Sequence, residues 1–252
     1  MKKSIVILSA LVLLSVPVMA GWVVEYTDGT VAKYDKGRLS SSSMKKGTMS
    51  GMIMDVNTEV MIVISTEKKK YYQGTAEEIS SKISGMMKKM KEMMGPGAAA
   101  MMGMGSDDGK PTVVKIEKLG SGDEILGKKT EHYSVNVDGE KLEEVWIAPS
   151  VKIMSESDNK KLAKMMEAFT SGMGMGGSSL DYTTSKEYMG MANRGFPMKT
   201  THSFGMGIKV TTEVAKLEKK NIPNSAFKVP AGYTKVGFME LSGMGKMMEG
   251  LK

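Results

Sequence analysis

Met86, Met90, Met93 and Met94 stand at i, i+4, i+7 and i+8 in the stretch MMKKMKEMMGPGAAAMMGMG, residues 86–105. On a helix that spacing puts four thioethers on one face. Thioether sulfur is soft and suits Cu(I). Met102 and Met104 follow in a Gly-rich stretch, and Met173 and Met175 stand in a second one, GMGMGG. Three thioethers from Met90, Met94, Met102, Met104, Met173 and Met175 would make a trigonal Cu(I) site. The second chemistry is apolar. Methionine is unbranched and polarizable, so a Met-rich face repacks around varied greasy partners. The third reading is that Met simply replaces Leu in an ordinary core. Met52, Met54 and Met61 in strand-like runs, and Met165 and Met166 in a helical one, fit that.

Other chemistry is largely excluded by composition. There is no cysteine, which removes disulfides, thiolate catalysis and thiolate metal sites together. His132 and His202 are the two histidines of the chain. His132 lies in the strand-like run EHYSVNV, where the neighbouring Glu131 points to the other face and cannot simply orient the ring. No G-x-S-x-G nucleophile elbow occurs. Asp107-Asp108 reads as a solvated turn. GMGMGG lacks the GK[ST] ending of a phosphate loop and follows a helix rather than a strand. The sequence therefore offers no catalytic residue and implies no cofactor, and a non-catalytic protein is expected.

The elements that would position these residues follow from pattern. Lys2 and Lys3, the apolar run SIVILSALVLLSVPVMA and small residues at Val18 and Ala20 read as a cleaved export signal over residues 1–20. No cysteine follows it for lipid attachment. The expected product is periplasmic, with no integral membrane segment. Removing residues 1–20 leaves 232 residues and a net charge of +5, the total of +7 less Lys2 and Lys3. The lysines are dispersed among glutamates, unlike a nucleic-acid footprint.

GWVVEYTDGTVAKYDKGRLS alternates around Asp28-Gly29, a hairpin signal. GMIMDVNTEVMIVIS reads as two strands and KKKYYQGT as another. Thr75 and Glu78 then form a capping box. Ala76, Ile79, Ile83, Met86, Met87, Met90, Met93 and Met94 recur at helical spacing until Gly95-Pro96 stops them. At least three strands are expected between Lys110 and Ser150, with turns at Gly120–Asp123 and Asp138-Gly139. ESDNKKLAKMMEAFTSG predicts a second helix with an apolar stripe of Leu162, Met165, Met166 and Phe169. A link with a short helix, a strand pair ending near Lys220, a Pro-punctuated segment and a tail complete the chain. Met/Gly-rich links fall at about 95–110 and 172–180.

Three stretches also carry a resemblance. KKKYYQGTAEEI, GDEILGKKTEHYSVNVDGEKLEEVWIAPSVKI and FKVPAGYTKV resemble segments of a family of exported bacterial proteins, the domain-of-unknown-function family number 4412. The likeness runs from about Tyr26 to Val236, and its most specific part is the module from Ile125-Leu126-Gly127 to Pro149. It implies the fold of the periplasmic lipoprotein carriers (LolA type), an incomplete antiparallel barrel whose helices cover an apolar cavity. It implies binding of lipid or another apolar ligand and brings no catalytic residue.

The expected fold is α+β. One curved antiparallel sheet, an incomplete barrel in a single domain over 21–252, carries two main amphipathic helices on its concave face. The expected ligand-binding residues are Ile79, Ile83, Met86, Met87, Met90, Met94, Leu162, Met165, Met166 and Phe169. The expected partner is a lipid or acylated protein. A Met-type Cu(I) protein and a structural envelope protein are the alternatives.

Overall fold

The computed structural model describes residues 20–43, 51–82, 84–85, 112–172, 181–204 and 207–242. Two meanders make one sheet. The first holds β1 (Gly21–Tyr26), β2 (Val31–Asp35), β3 (Arg38–Ser42), β4 (Gly51–Asp55), β5 (Val60–Ser65) and β6 (Lys70–Thr75). The second holds β7 (Val114–Ser121), β8 (Glu131–Val137), β9 (Glu140–Ala148), β10 (Phe196–Phe204) and β11 (Ile208–Lys220). They join where β1 pairs antiparallel with β11, from Gly21 opposite Lys220 to Tyr26 opposite Val214. A last short strand, β12 (Thr234–Lys235), completes the set. The spatial order is β12-β6-β5-β4-β3-β2-β1-β11-β10-β9-β8-β7, an open sheet among the described residues.

Sequence explains the reversals. Lys36-Gly37 and Asp138-Gly139 both have positive φ at both positions, 49° and 74° in the first and 52° and 87° in the second. Those are the two-residue turns whose twist matches antiparallel strands. Gly120 does not turn the chain as expected. It lies inside β7 at an irregularity in the pairing with β8. The reversal comes at Leu126-Gly127, between the bridged residues Ile125 and Lys128.

One pairing departs from an all-antiparallel sheet. β12 runs parallel to β6. Thr234 and Val236 donate their N–H groups to the carbonyls of Lys69 and Tyr71, at 3.0 and 2.9 Å. The chain reaches this edge from the end of β11 through Ile222, Phe227 and Tyr233, which pack with Val23, Ile53 and Ile64. Neighbouring strand residues point to opposite faces, so Val24, Met54 and Val63 belong to the other side. There they form the main core with Ala32, Met61, Tyr72, Met198 and Val214.

Helices cover this main core. Helical turns over 76–82, here α1, start at Thr75. Its Oγ1 accepts the Glu78 N–H at 3.1 Å, and Glu78 Oε2 accepts the Thr75 N–H at 3.0 Å. The expected capping box is present. Ile79 of α1, Met165 of α2 (Glu156–Gly172), and Phe238 and Leu241 of α4 (Phe238–Ser242) are all buried in the same cluster. α3 (Lys186–Ala192) is different. Its Met191 packs with Tyr133, Val135, Val145, Ile147 and Tyr182. Val145 and Ile147 alternate with Trp146 and Ala148 along β9, so α3 faces the side of that strand opposite Ala148. The short helix expected in the second link is α3, and the helices occupy more than the one concave face expected for the two main ones. No helix among the described residues is long and apolar enough to cross a membrane.

Candidate functional site

The site begins where β9 ends. After Ala148 the chain runs through Val151–Ser155 into α2. Ser155 caps that helix: its Oγ accepts the Asp158 N–H at 3.0 Å and its carbonyl accepts the Asn159 N–H at 2.9 Å. Ser185 caps α3 likewise, accepting the Tyr188 N–H at 3.1 Å. The far end of α3 is held from outside. The Lys152 ammonium donates to the carbonyls of Asn193 and Arg194, at 2.6 and 2.7 Å. A lysine at a helix C-terminus meets both its orphan carbonyls and its dipole. Gly195 then lets β10 start tight against β9. A Cβ there would lie 2.2 Å from the Ala148 carbonyl oxygen.

Between α2, α3 and the start of β10 this arrangement leaves a cleft of about 650 Å³. Tyr34, Met154, Leu162, Met166, Met189 and Phe196 belong to its apolar wall. Tyr34 and Phe196 meet edge to face, with ring centroids 6.3 Å apart. The Tyr34 hydroxyl is paired with that of Tyr26, and burial holds its ionisation well above the usual tyrosine value. At the rim stand Lys152, Ser155, Glu156, Asn159, Thr183 and Asn193. The Asn159 amide donates to the Asn193 side-chain oxygen at 3.4 Å, linking α2 to the end of α3.

The structure distributes the expected ligand residues in three ways. Leu162 and Met166 line the cleft. Met165 and Ile79 lie in the sheet core instead, 4% and 0% exposed. Met165 neighbours Met166 in sequence, but a helix turns about 100° per residue and sends it inward. Phe169 falls within α2, and its side chain is outside the described residues, as are Ile83, Met86, Met87, Met90 and Met94. The copper set of Met90, Met94, Met102, Met104, Met173 and Met175 lies wholly outside them. Among the described residues no three His, Asp or Glu side chains are grouped as metal ligands.

Sequence reading missed Tyr34, Met154, Tyr188, Met189 and Phe196. Tyr34 was within reach, since Ala32 and Tyr34 share one face by alternation. Phe196 and Met189 come together only through the link that carries α3, and no local period announces that.

Behind α3 lies a buried acid. Glu143 on β9 is 6% exposed. Its Oε2 accepts a hydrogen bond from the Tyr182 hydroxyl at 3.3 Å. Tyr188 is a second hydroxyl partner. Burial pushes the Glu143 carboxyl up to about 7, and the two hydroxyls offset only part of that. In turn burial itself and the buried carboxyl raise both tyrosines far above their ordinary range. The two tyrosine rings meet edge to face at 5.3 Å. Tyr188 also lines the cleft, so it connects the buried acid to the cleft wall.

The histidines lie on β8 and β10. His132 stacks on Trp146, with centroids 4.1 Å apart and planes 12° from parallel. Its Nε2 lies 2.8 Å from Glu144 Oε2. Glu131, on the other face, pairs with Lys118 and accepts from the Tyr133 hydroxyl. The expectation that Glu131 cannot orient His132 agrees with this, and the ring's partner comes from β9. Burial lowers the ionisation of His202.

A family described as a domain of unknown function (DUF4412) matches residues 30–233. No curated protein matches the sequence. Among solved structures, an uncharacterized conserved protein from Thermus thermophilus is similar at 7% identity, with a TM-score of 0.43. The likeness covers 85% of this chain and 88% of that one. A structure of PNGF-II is similar at 9% identity and a TM-score of 0.41, covering 89% of this chain and 32% of that one.

Proposed function

The chain belongs to the DUF4412 family, and on that premise we propose that its cleft binds an apolar ligand, a lipid or an acylated protein, without catalysing a reaction. The observation that carries this reading is the cleft itself. Its volume of about 650 Å³ falls within the range of roughly 300–1,000 Å³ that small-molecule sites occupy. Its wall holds three aromatic rings, Tyr34, Tyr188 and Phe196, and three methionines, Met154, Met166 and Met189. Thioether side chains repack around ligands of varied shape. The open, mostly antiparallel sheet with helices packed on it supports a relationship to the lipoprotein-carrier architecture. The apolar run in residues 1–20 supports export to the periplasm. The copper alternative rests on methionines outside the described residues, so the cleft carries the proposal.

The test has two parts. Protein expressed with its leader in a bacterial host is examined by native mass spectrometry for co-purifying lipid. Nile red binding is then compared between wild type and the double variant Leu162→Asp, Met166→Asp, whose fold is checked by circular dichroism. Co-purifying lipid and at least a roughly tenfold weaker dye affinity in the variant are expected, since each substitution sets a charge on an apolar wall. A lipid-free protein whose two forms bind dye equally would sink the proposal.

A further inference from the structure

The rim of the cleft is not chemically uniform. Lys152 spends two of its three N–H donors on the carbonyls of Asn193 and Arg194. Carbonyls are neutral acceptors, so they fix the ammonium in place and, with the negative end of the α3 dipole, offset only part of its charge. The same contact holds Lys152 at the end of α3, beside the cleft it lines, with no further hydrogen-bond partner among the described residues. Two more groups stand at the rim. The first turn of α2, a helix of 17 residues, borders the cleft at Ser155 and Glu156. The Asn159 and Asn193 carboxamides stand between that turn and Lys152. Glu156 opposes the trend; with Asp158 in the same turn it already supplies the negative charge that the start of α2 favours, so the head-group preference rests on Lys152.

We infer that the cleft takes a single-chain amphiphile with an acidic head, carboxylate or phosphate. Its tail lies against Leu162, Met166 and Phe196, and its head is held at Lys152. This rests on the reading of the cleft as an apolar site, and adds to it a polarity, a head-group class and an orientation. The volume supports one chain: a cleft of about 650 Å³ lies in the middle of the range for single small ligands.

The test is isothermal titration of the purified full-length protein at about pH 8, where carboxylic heads are ionised. Dodecanoate, dodecyl phosphate and 1-dodecanol are compared, each below its aggregation threshold. The two acids should bind wild type at least about fivefold more tightly than the alcohol, the ratio a partly exposed charge contact supports. Lys152→Met should remove that preference, read as the ratio of acid to alcohol affinity within the variant itself. Lys152→Arg should keep it, and Glu156→Gln should increase it. Salt at about 0.5 M should shrink the preference. Dodecanoate and dodecyl phosphate differ in head charge, so their ratio tells which acid the rim prefers.

Equal binding of acids and alcohol overturns the head-group assignment while leaving the apolar cleft standing. An acid preference that survives Lys152→Met does the same. Should Lys152→Met lose its fold, a preference insensitive to salt and to Glu156→Gln overturns the assignment. Failure of all three chains to bind overturns the apolar reading of the cleft as well.

Discussion

Glu143 is a carboxyl group set where β9 faces a hydrophobic cluster, with two tyrosine hydroxyls as its polar company. Its ionisation is pushed from an ordinary 4.5 to about 7. Between those values the folded chain holds a proton that the unfolded chain has released. The stabilising contribution is therefore complete below about pH 4.5 and is lost as pH rises through about 7. At roughly 1.4 kcal/mol per pKa unit the loss is about 3 kcal/mol. His202, lowered by burial, acts in the opposite sense over part of this window, so the comparison must be with a variant. Urea unfolding of wild type and Glu143→Gln at about pH 5 and pH 8 isolates the group. Wild type should lose more stability than the variant on going to the higher pH, and parallel losses would remove Glu143 from the account. The face was legible in sequence and the burial was not. KLEEVWIA alternates correctly, and Glu143 shares its face with Val145 and Ile147 while Glu144 points the other way with Trp146. The tyrosines that accept this burial come from a separate stretch, Tyr182 and Tyr188, and nothing local ties them to β9.

Elements were legible where the local chemistry is complete. The Thr75–Glu78 box, the hairpin signals at Asp28-Gly29 and Asp138-Gly139, and the bounds of α2 all sit within a few residues of their cause. Thr75→Ala removes one acceptor of the reciprocal pair and frees the Glu78 N–H. It should cost about 1 kcal/mol, read as a lower denaturation midpoint at unchanged m-value. A midpoint within error of wild type would mean that packing of Ile79 and Ala76, both buried, determines the helix start alone. Elements were illegible where tertiary pairing decides. β12 is two residues long, and nothing in AGYTKV marks it as a parallel partner for β6. α3 shows only seven helical residues, too few for a stable helix in isolation. It is held by Ser185 at its start, Lys152 at its end and Met191 against the sheet. The same dependence explains why the expected ligand residues reach the cleft only in part. Leu162 and Met166 line it, while Met165 and Ile79 serve the core, because among the described residues the second wall is α3.

An open sheet has two edges, and each is a template for pairing with another chain. The two edges here are guarded differently. At one, β12 covers two residues of β6, and α4 sits against the same strand, with Glu240 paired to Lys70 at 2.7 Å. At the other, β7 runs for eight residues with its outer side unpaired among the described residues. Its exposed Lys115, Glu117 and Lys118, together with the irregularity at Gly120, are the features that discourage edge-to-edge addition. Leu119 is exposed beside them, at 46%, so the strand is not apolar-free, and the charges must carry the protection. Replacing Lys115, Glu117 and Lys118 together with threonine keeps β propensity and removes the charges. The folded variant should then associate with rising concentration, seen as a growing mass by size-exclusion chromatography with light scattering. The change should be absent when only Lys33, on the interior strand β2, is replaced by threonine, because that strand already has both neighbours. If the triple variant elutes at the wild-type mass at every concentration, the edge is protected by twist and by the Gly120 irregularity rather than by charge.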